Sequence, residues 1–200
     1  QRFSGGKEFE EFFVLHGHTE DFCHFMAGKA VNGDKPFWEW TEQEEDFSVY
    51  QTWRFVCYTF FRQWKKIKDY ANEKGISIIG DIPMYVSLDS ADVWKNPKDF
   101  QLDERFRPTR VAGVPPDCFS KDGQLWGNPL YDWKEMEKDG FSFWKDRICF
   151  MCALFDCIRI DHFRGLESYY AVDAKAENAR EGKWEKGPGR KLLKALRSVC

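Results

Sequence analysis

The sequence predicts an α/β fold with parallel strands, and three observations lead to this prediction. Two short segments rich in Ile and bounded by Gly, Pro or polar residues, at 76–83 and 157–163, are typical of buried strands. Each follows a stretch with helical apolar spacing, at 47–74 and from Trp144 to Phe155. A long segment without periodicity follows each strand. This repeated order is that of βα units built around a parallel sheet.

The first long helix is predicted from apolar residues that recur at steps of three and four. These residues are Tyr50, Trp53, Cys57, Phe60, Phe61, Trp64, Ile67 and Ala71. Gly75 suits the end of this helix, and Thr41 with Glu44 predicts a capping box before it. A shorter helix is predicted around 21–31, and a last one after Gly187-Pro-Gly189.

The long segments follow the carboxyl ends of the strands, which is where a (β/α)8 barrel carries its active site. Two strands cannot close a barrel of eight. We therefore expect residues 1–200 to be part of one catalytic (β/α)8 TIM barrel domain with long insertions after the strands. We expect the chain to be truncated at the C-terminus and also at the N-terminus, where no initiator Met stands.

Composition excludes several classes of protein. Hydrophobic residues make up 42% and charged residues 32%, which is typical of a folded domain rather than a disordered chain. The net charge of −3 argues against nucleic acid as a partner, and no apolar run reaches the roughly 18 residues of a membrane helix. The 19 Phe, 9 Trp and 7 Tyr fit either a large core or a groove for sugar rings, and composition alone favours the core.

Cysteine and histidine patterns give no site. The odd number of seven cysteines, without a secretory leader, predicts reduced thiols in the cytoplasm. Cys149 and Cys152 form one C-x-x-C without a second pair, and their apolar surroundings favour buried structural thiols. His16 and His18 have no carboxylate pattern nearby. We expect neither a metal ion nor another cofactor.

The second strand carries the residues with the clearest chemistry. If it continues to Phe163, then Arg159, Asp161 and Phe163 share one face, and Ile158, Ile160 and His162 share the other. The charge of Arg159 would lower the pKa of Asp161 and keep it ionised, as a nucleophile toward a sugar carbon requires. A structural ion pair that holds a loop explains the same pattern equally well. Asp81 and Tyr85 stand at the corresponding end of the first strand.

Four segments, in this order, resemble the amylomaltases, the 4-alpha-glucanotransferases of the α-amylase clan. The first is Gly80-Asp-Ile-Pro-Met-Tyr-Val86 with Asp89-Ser-Ala-Asp-Val-Trp94. The second is Val111-Ala-Gly-Val-Pro-Pro-Asp117 with Gly123-Gln-Leu-Trp-Gly-Asn-Pro-Leu-Tyr-Asp-Trp133. The third and fourth are Arg159-Ile-Asp-His-Phe-Arg-Gly165 and Gly182-Lys-Trp-Glu-Lys-Gly-Pro-Gly189. The resemblance covers residues 47–200.

The resemblance implies a retaining double displacement on α-1,4-glucans, in which the 4-hydroxyl of a second malto-oligosaccharide replaces water as the acceptor. Asp161 falls on the family's catalytic nucleophile. Arg159 falls on the arginine that orients and ionises it. The resemblance also implies a set of substrate-binding residues: Asp81, Tyr85, Trp126, Gly127, Asn128 and His162.

The chain also departs from the family's pattern. The family's acid/base Glu and third catalytic Asp lie on later strands, and we expect both beyond residue 200, because neither Glu167 nor Glu177 stands in such a motif. Residues 1–200 alone are therefore expected to be inactive. Cys118 stands where the family usually has Tyr, which removes one ring from the loop and leaves Phe119.

Two alternative functions remain open at this point. A hydrolase of the α-amylase clan is the first, and the Pro-Pro-Asp and Trp-Gly-Asn-Pro loop argues for the transferase instead. A non-catalytic glucan-binding module is the second. The Arg159-Ile-Asp161 pattern argues against it, because a binding module does not need an ionised nucleophile.

Overall fold

The computed structural model describes residues 6–199, and the chain divides into two compact units. The first unit comprises the described residues up to Gly80 together with Ala153–Cys157. The second comprises residues from Asp81 to Cys152 and from Ile158 onward. Cys200, which the sequence analysis counted among the reduced thiols, lies outside the described residues.

Three helices form most of the first unit, and aromatic rings fill the space between them. They are α1 (Lys7–Leu15), α2 (Gly17–Val31) and α3 (Phe47–Glu73), with a 3-10 turn at Phe37–Glu39. Phe9 and Phe13 of α1 form a buried cluster with Cys23 of α2 and Tyr58 of α3. The predicted helix 47–74 is confirmed, and α2 begins earlier than the predicted 21–31.

Asp46 caps the N-terminus of α3, so the capping box predicted at Thr41 and Glu44 is wrong. The Asp46 Oδ1 accepts hydrogen bonds from the amides of Ser48 at 2.8 Å and Val49 at 3.2 Å. A carboxylate at this position satisfies amides that have no partner inside the helix, and the helix dipole favours its charge. Asp46 stands directly before the first helical residue, whereas Thr41 lies too far upstream to reach those amides.

Arg54 of α3 is a charged residue buried among the three helices, with an exposed fraction of 8%. Its Nη2 donates to Glu10 Oε2 at 2.7 Å, and its Nε lies 3.3 Å from Glu20 Oε2. The guanidinium also lies over the rings of Phe9 and Phe13, at 4.9 and 4.3 Å from their centroids. Pairing and ring contacts offset the cost of removing this charge from water.

The C-terminal half of α3 packs through Trp64. Its Nε1 donates to Leu154 O at 2.8 Å, and its ring meets Phe155 edge to face at 5.5 Å. Phe60 and Ile67, which were also predicted to face the core, are 53% and 56% exposed. The predicted apolar face of α3 is therefore covered only in part by the described residues.

Two short strands lie where the sequence predicted strands: β1 (Ile79–Ile82) and β4 (Cys157–Ile160). Both are shorter than the predicted segments 76–83 and 157–163. Pro83 has no amide hydrogen to continue the first strand. The second ends before His162, whose φ of 50° is incompatible with an extended chain.

The two strands pair in parallel, and Asp156 ties their beginnings together. The amide of Cys157 donates to Ile78 O at 3.3 Å, and the amide of Asp161 donates to Ile82 O at 2.9 Å, so both strands run in the same direction. The Asp156 Oδ2 accepts the amide of Ile78 at 2.8 Å. This hydrogen bond is the largest of the contributions that lower the pKa of Asp156. The predicted parallel arrangement is therefore present.

The long segments after both strands contain short elements that the sequence analysis did not resolve. Before β4 these are α4 (Ala91–Lys95), a 3-10 turn (Pro97–Asp99), β2 (Arg110–Val114), β3 (Gln124–Pro129) and α5 (Trp133–Lys138). The predicted second helix follows as α6 (Ser142–Leu154). After β4 come a 3-10 turn (Phe163–Leu166), β5 (Ser168–Asp173), β6 (Gly182–Lys186) and α7 (Arg190–Leu196).

Both long segments contribute to one antiparallel sheet, in the order β3-β2-β5-β6. Arg110 pairs with Asp173 and Gly113 with Tyr170 between β2 and β5, and Tyr170 pairs with Trp184 between β5 and β6. The segment after β4, which shows no periodicity in the sequence, therefore contains two regular strands. The sheet joins the segment after β1 to the segment after β4 by backbone hydrogen bonds.

The cysteines differ in part from the expectation. Cys23, Cys57, Cys118, Cys149 and Cys157 are free thiols, as predicted for reduced cysteines. Cys149 and Cys152 are exposed rather than buried, because the apolar side of α6 faces the core through Phe143, Trp144 and Ile148. The predicted burial of the C-x-x-C pair is therefore wrong.

The antiparallel sheet leaves no room for a side chain at Gly113. A Cβ at this position would lie 2.6 Å from the backbone oxygen of Gln124 in β3. We expect Gly113→Ala to lower the free energy of unfolding by about 1–3 kcal/mol, because neither backbone can shift without loss of strand pairing. Gly17→Ala is the control, since nothing lies within 4 Å of that position. Urea unfolding of both variants that gave equal midpoints would contradict the prediction.

Candidate active site

Asp81 of β1 and Arg159 of β4 face each other across the two parallel strands. The Arg159 Nε donates to Asp81 Oδ1 at 3.0 Å, and its Nη2 donates to Asp81 Oδ2 at 2.5 Å. Two such bonds form the bidentate geometry in which arginine holds a carboxylate most firmly. The Asp161 Oδ1 lies 3.7 Å from the same Nη2. Arg159 therefore lies between two carboxylates, and both of its hydrogen bonds go to Asp81 rather than to the predicted Asp161.

The charge of Arg159 acts directly on Asp81. The hydrogen bond from Arg159 lowers the pKa of Asp81 below its ordinary value, and Asp81 in turn raises the pKa of Arg159. All three side chains are more than half exposed, with 53% for Asp81, 65% for Arg159 and 64% for Asp161. Because water screens such pairs, hydrogen-bond geometry rather than burial keeps Asp81 ionised.

Asp161 lies directly after the end of β4, where the chain changes direction. Its amide still bonds to Ile82 O at 2.9 Å, which fixes its backbone beside β1. His162 then adopts φ 50° and ψ 40°, and the chain enters the 3-10 turn that starts at Phe163. The prediction that Phe163 continues the strand face of Arg159 and Asp161 is therefore wrong. Likewise, His162 does not continue the opposite face.

Three predicted site residues form an aromatic group beside these charges. The ring of His162 meets Trp126 edge to face at 4.8 Å, and Tyr85 lies 6.2 Å from Trp126 and 6.4 Å from His162. Tyr85 also stacks on Tyr131 at 5.8 Å. Trp126 is 37% exposed, whereas Tyr85 is 8% exposed. Flat apolar faces with polar edges are suited to sugar rings.

His162 and Tyr85 each carry a polar group that is not used inside the protein. The His162 Nε2 is buried without a hydrogen-bond partner among the described residues. Burial lowers the pKa of His162 although the charge of Asp161 opposes this shift, so the ring favours its neutral form. Burial also raises the pKa of Tyr85, so its hydroxyl stays protonated. Both groups can donate or accept a hydrogen bond.

Gly127 and Asn128 lie in the same strand as Trp126, and the structure gives them different surroundings. Gly127 adopts a φ of 77°, and no other atom lies within 4 Å of the place that a Cβ would take there. The Asn128 Nδ2 donates to Val86 O at 2.8 Å, which links the segment after β1 to the end of β3. The amide nitrogen of Asn128 is therefore committed to the backbone, and its oxygen has no such bond among residues 6–199.

The loop between β2 and β3 is organised by Asp117. Its Oδ1 accepts hydrogen bonds from the amides of Phe119 and Ser120, both at 2.8 Å. Phe119 is 93% exposed and Cys118 is also exposed. This turn presents the Phe119 ring to solvent next to the position where Cys118 replaces the family's usual Tyr.

Arg147 is a site residue that sequence reasoning missed. It lies on α6 and donates from Nη2 to Pro83 O at 2.7 Å and from Nη1 to Met84 O at 3.2 Å. Tyr131, also missed, donates from its hydroxyl to Met84 O at 2.6 Å. The signal in the sequence was an arginine within an apolar helix, one turn after the buried Trp144.

The described residues contain neither a cluster of metal ligands nor a membrane-spanning helix. Among residues 6–199, no three His, Cys, Asp or Glu side chains are grouped so as to hold a metal ion. His16 lies between α1 and α2 and His18 lies in the first turn of α2, where burial is the largest of the contributions that lower its pKa to about 4. Within the described part of the chain, no helix combines the length and apolar character needed to cross a bilayer.

Comparison with known proteins decides the family. A family model described as 4-alpha-glucanotransferase matches residues 2–200. The chain belongs to the 4-alpha-glucanotransferase family. This confirms the resemblance inferred from the four sequence segments.

Two relatives and one solved structure show how far the similarity extends. The 4-alpha-glucanotransferase of Aquifex aeolicus is 46% identical over 203 residues, which cover 94% of this chain and 42% of the relative. That of Clostridium butyricum is 54% identical over 157 residues, which cover 78% and 32%. The amylomaltase of Streptococcus agalactiae in complex with acarbose matches with a TM-score of 0.88 and 37% identity, over 96% of this chain and 42% of that chain.

The chain therefore spans less than half the length of these relatives. The mixed α/β fold is confirmed by the amylomaltase structure. The residues that match the family model include all those of the candidate site, from Asp81 to His162.

The bond between Arg159 and Asp81 makes a direct prediction about titration. We expect Arg159→Gln to raise the pKa of Asp81 toward that of an ordinary aspartate, because the hydrogen bond from the guanidinium is the largest of the contributions that lower it. Carboxyl carbon NMR shifts of the parent and the variant, followed against pH, measure this change. Asp103 is the internal control, since backbone amides of Arg107 and Arg105 lower its pKa. An Asp81 pKa that is equal in both proteins would contradict the assigned geometry.

Proposed function

We propose that the whole protein is a 4-alpha-glucanotransferase that moves segments of α-1,4-glucans between malto-oligosaccharides. One observation carries this proposal. In a chain of this family, Asp81, Arg159 and Asp161 meet at the carboxyl ends of two adjacent parallel strands, and Tyr85, Trp126 and His162 lie beside them. Charged groups at strand ends next to flat rings are what a glucan-cleaving site requires.

In the proposed mechanism Asp161 is the nucleophile. Its carboxylate attacks C1 of the sugar and the bond to the leaving glucan breaks, while an acid/base carboxyl group outside residues 1–200 protonates the leaving oxygen. The 4-hydroxyl of a second glucan then attacks the covalent glucosyl-enzyme, gives its proton to that carboxylate and releases Asp161. Asp81 is a weaker candidate for the nucleophile, since both of its oxygens accept hydrogen bonds from Arg159.

We propose substrate-binding roles for the residues around Asp161. The unpartnered Nε2 of His162 and the hydroxyl of Tyr85 supply hydrogen bonds to sugar hydroxyls. Trp126 supplies a partly exposed ring face. The β2–β3 loop with Phe119, together with Gly127 and Asn128 of β3, covers the donor chain and limits the access of water to the intermediate.

We further propose that β1 and β4 are neighbouring strands of a (β/α)8 TIM barrel, with residues 1–200 as part of one catalytic domain. Their parallel pairing and the helices α3 and α6 before them support this arrangement. The similarity to the amylomaltase structure over 42% of its length also supports it. The free thiols support a reducing compartment such as the cytoplasm.

Product analysis separates the transferase from a hydrolase. Transfer conserves the number of glycosidic bonds, so maltotriose should yield longer oligosaccharides and shorter ones without a rise in reducing ends. Hydrolysis raises the number of reducing ends with each event. If the complete protein steadily raises the number of reducing ends and forms no longer oligosaccharides, the proposal is contradicted in favour of the hydrolase.

The role of Asp161 predicts a large loss on substitution. We expect Asp161→Asn to lower glucan transfer by about 10⁴-fold or more while leaving the unfolding temperature within a few degrees, because only the attacking oxygen is lost. The complete protein is assayed with maltotriose. The parent, quenched during turnover, should carry a sugar on the peptide that contains Asp161, as detected by mass spectrometry.

Two results would contradict this assignment. The first is transfer by Asp161→Asn within tenfold of the parent. The second is the absence of a sugar adduct on the Asp161 peptide while transfer proceeds, which would instead favour a different nucleophile. Asp103→Asn is the matched control, because Asp103 bonds only to the loop of Arg105 and Arg107.

Because Cys118 is exposed, we predict that an aromatic ring at this position strengthens glucan binding. We expect Cys118→Tyr to tighten the binding of maltoheptaose by about 1 kcal/mol, if its ring lies against sugar as rings do on other flat surfaces. Cys118→Ser is the control, since it adds no ring. Calorimetry that found equal affinities for all three proteins would show that this loop position does not contact the glucan.

A further inference from the structure

We propose that Arg147 is a positioning residue that sets the place of Tyr85 in the glucan site. This inference rests on the proposed function, because it concerns a side chain that contacts the substrate there. Arg147 itself contacts the backbone before Tyr85 and lies on a separate helix, α6. It therefore acts through Tyr85 rather than on the sugar.

The segment after β1 has its carbonyl groups held by side chains from two other elements. Arg147 binds the oxygens of Pro83 and Met84, at 2.7 and 3.2 Å. Asn128, at the end of β3, binds the oxygen of Val86 at 2.8 Å. These contacts lie on both sides of Tyr85 along the chain, so its Cα is fixed from both directions.

Among the described residues, Arg147 alone binds the carbonyl oxygen of Pro83. Tyr131 also donates to Met84 O, at 2.6 Å, so that carbonyl keeps a partner without arginine. Among the described residues, Pro83 O accepts a hydrogen bond only from Arg147. A planar guanidinium can reach two successive carbonyls and the Tyr131 hydroxyl at once, whereas the ammonium group of lysine cannot match that geometry.

The guanidinium is fixed by its own surroundings. Its centre lies 4.7 Å from the Trp144 ring and 5.7 Å from the Phe143 ring, which are one turn away on α6. Asp92 of α4 is half-buried, and the charge of Arg147 opposes the rise of the Asp92 pKa that desolvation causes. The aromatic rings and the nearby carboxylate together restrict where the Arg147 donors can point.

Tyr85 lies where a change in the backbone that Arg147 holds would affect glucan binding. Its ring lies between Tyr131 at 5.8 Å, Trp126 at 6.2 Å and His162 at 6.4 Å. Tyr85 is 8% exposed, and its hydroxyl is the polar group that it can offer to a sugar. A shift of about 1 Å in the backbone before it is enough to misplace that hydroxyl and to reduce turnover by about 10²-fold.

The first test measures the backbone directly and does not depend on enzyme activity. In the complete protein, Arg147→Met should increase amide hydrogen exchange at residues 84–86 by about tenfold or more, since the Pro83 carbonyl loses its partner. Arg147→Lys, which keeps the charge near Asp92, should give a smaller increase. Exchange at these amides that is unchanged in Arg147→Met would overturn the proposal.

The second test asks whether Arg147 acts through Tyr85. In a double-mutant cycle on kcat/KM for maltotriose transfer, Arg147→Met and Tyr85→Ala should each cost about tenfold or more. The double variant should match Tyr85→Ala within about twofold, because the positioning role is lost once Tyr85 is gone. Arg105→Met, an exposed arginine with a similar change of side chain, should behave as the parent.

Additive losses in this cycle would overturn the proposal, because they would show that Arg147 supports the fold and not Tyr85. If Arg147→Met does not fold, as judged by its thermal unfolding, then Arg147→Lys takes its place in both tests. A parent protein that lacks glucan transfer contradicts the proposed function, and the exchange result alone then decides whether Arg147 holds the segment before Tyr85.

Discussion

The parallel hydrogen bonding between β1 and β4 is the constraint on which the site depends. The bond from the amide of Asp161 to Ile82 O fixes the register of the two strands at the end where they terminate. At this register Arg159 reaches the carboxylate of Asp81 with two donors. A slip of β4 by one residue would turn Arg159 to the opposite face of the sheet and separate it from Asp81.

The antiparallel sheet adds a second constraint, since it joins the two segments that follow the strands. β2 comes from the first segment and β5 from the second, with Arg110 opposite Asp173. Arg110 also donates hydrogen bonds to Glu185 and, at 2.7 Å, to Gln101. Glu185 in turn accepts a hydrogen bond from the Tyr169 hydroxyl. A partly buried network of this kind restricts the segments to one arrangement. Trp126 therefore lies on a strand of this sheet, since β3 is paired with β2.

The sequence predicts those parts of this structure whose information is local. α3 and α6 follow from apolar residues at helical spacing, and β1 and β4 from short Ile-rich segments. β2, β5 and β6 do not show in the sequence, because their partners are distant in the chain and strands such as the one with Gly113 have no clear alternation. Arg159 was paired with Asp161 by sequence distance, whereas its hydrogen bonds go to Asp81 across the sheet.

Because Arg159 bonds to Asp81 and not to Asp161, the two carboxylates differ in how firmly they are held. When both oxygens of a carboxylate accept short hydrogen bonds, their lone pairs are less able to attack a carbon atom. Such a carboxylate is suited to the role of a fixed charge. Asp161 has the longer contact of 3.7 Å to Arg159, so it has the electrostatic support of the guanidinium while its oxygens stay free of that bidentate bond. In the mechanism that we propose, one arginine fixes Asp81 as a rigid neighbour and leaves Asp161 able to attack. A nucleophile needs a free oxygen, and this requirement favours the carboxylate that Arg159 holds less firmly.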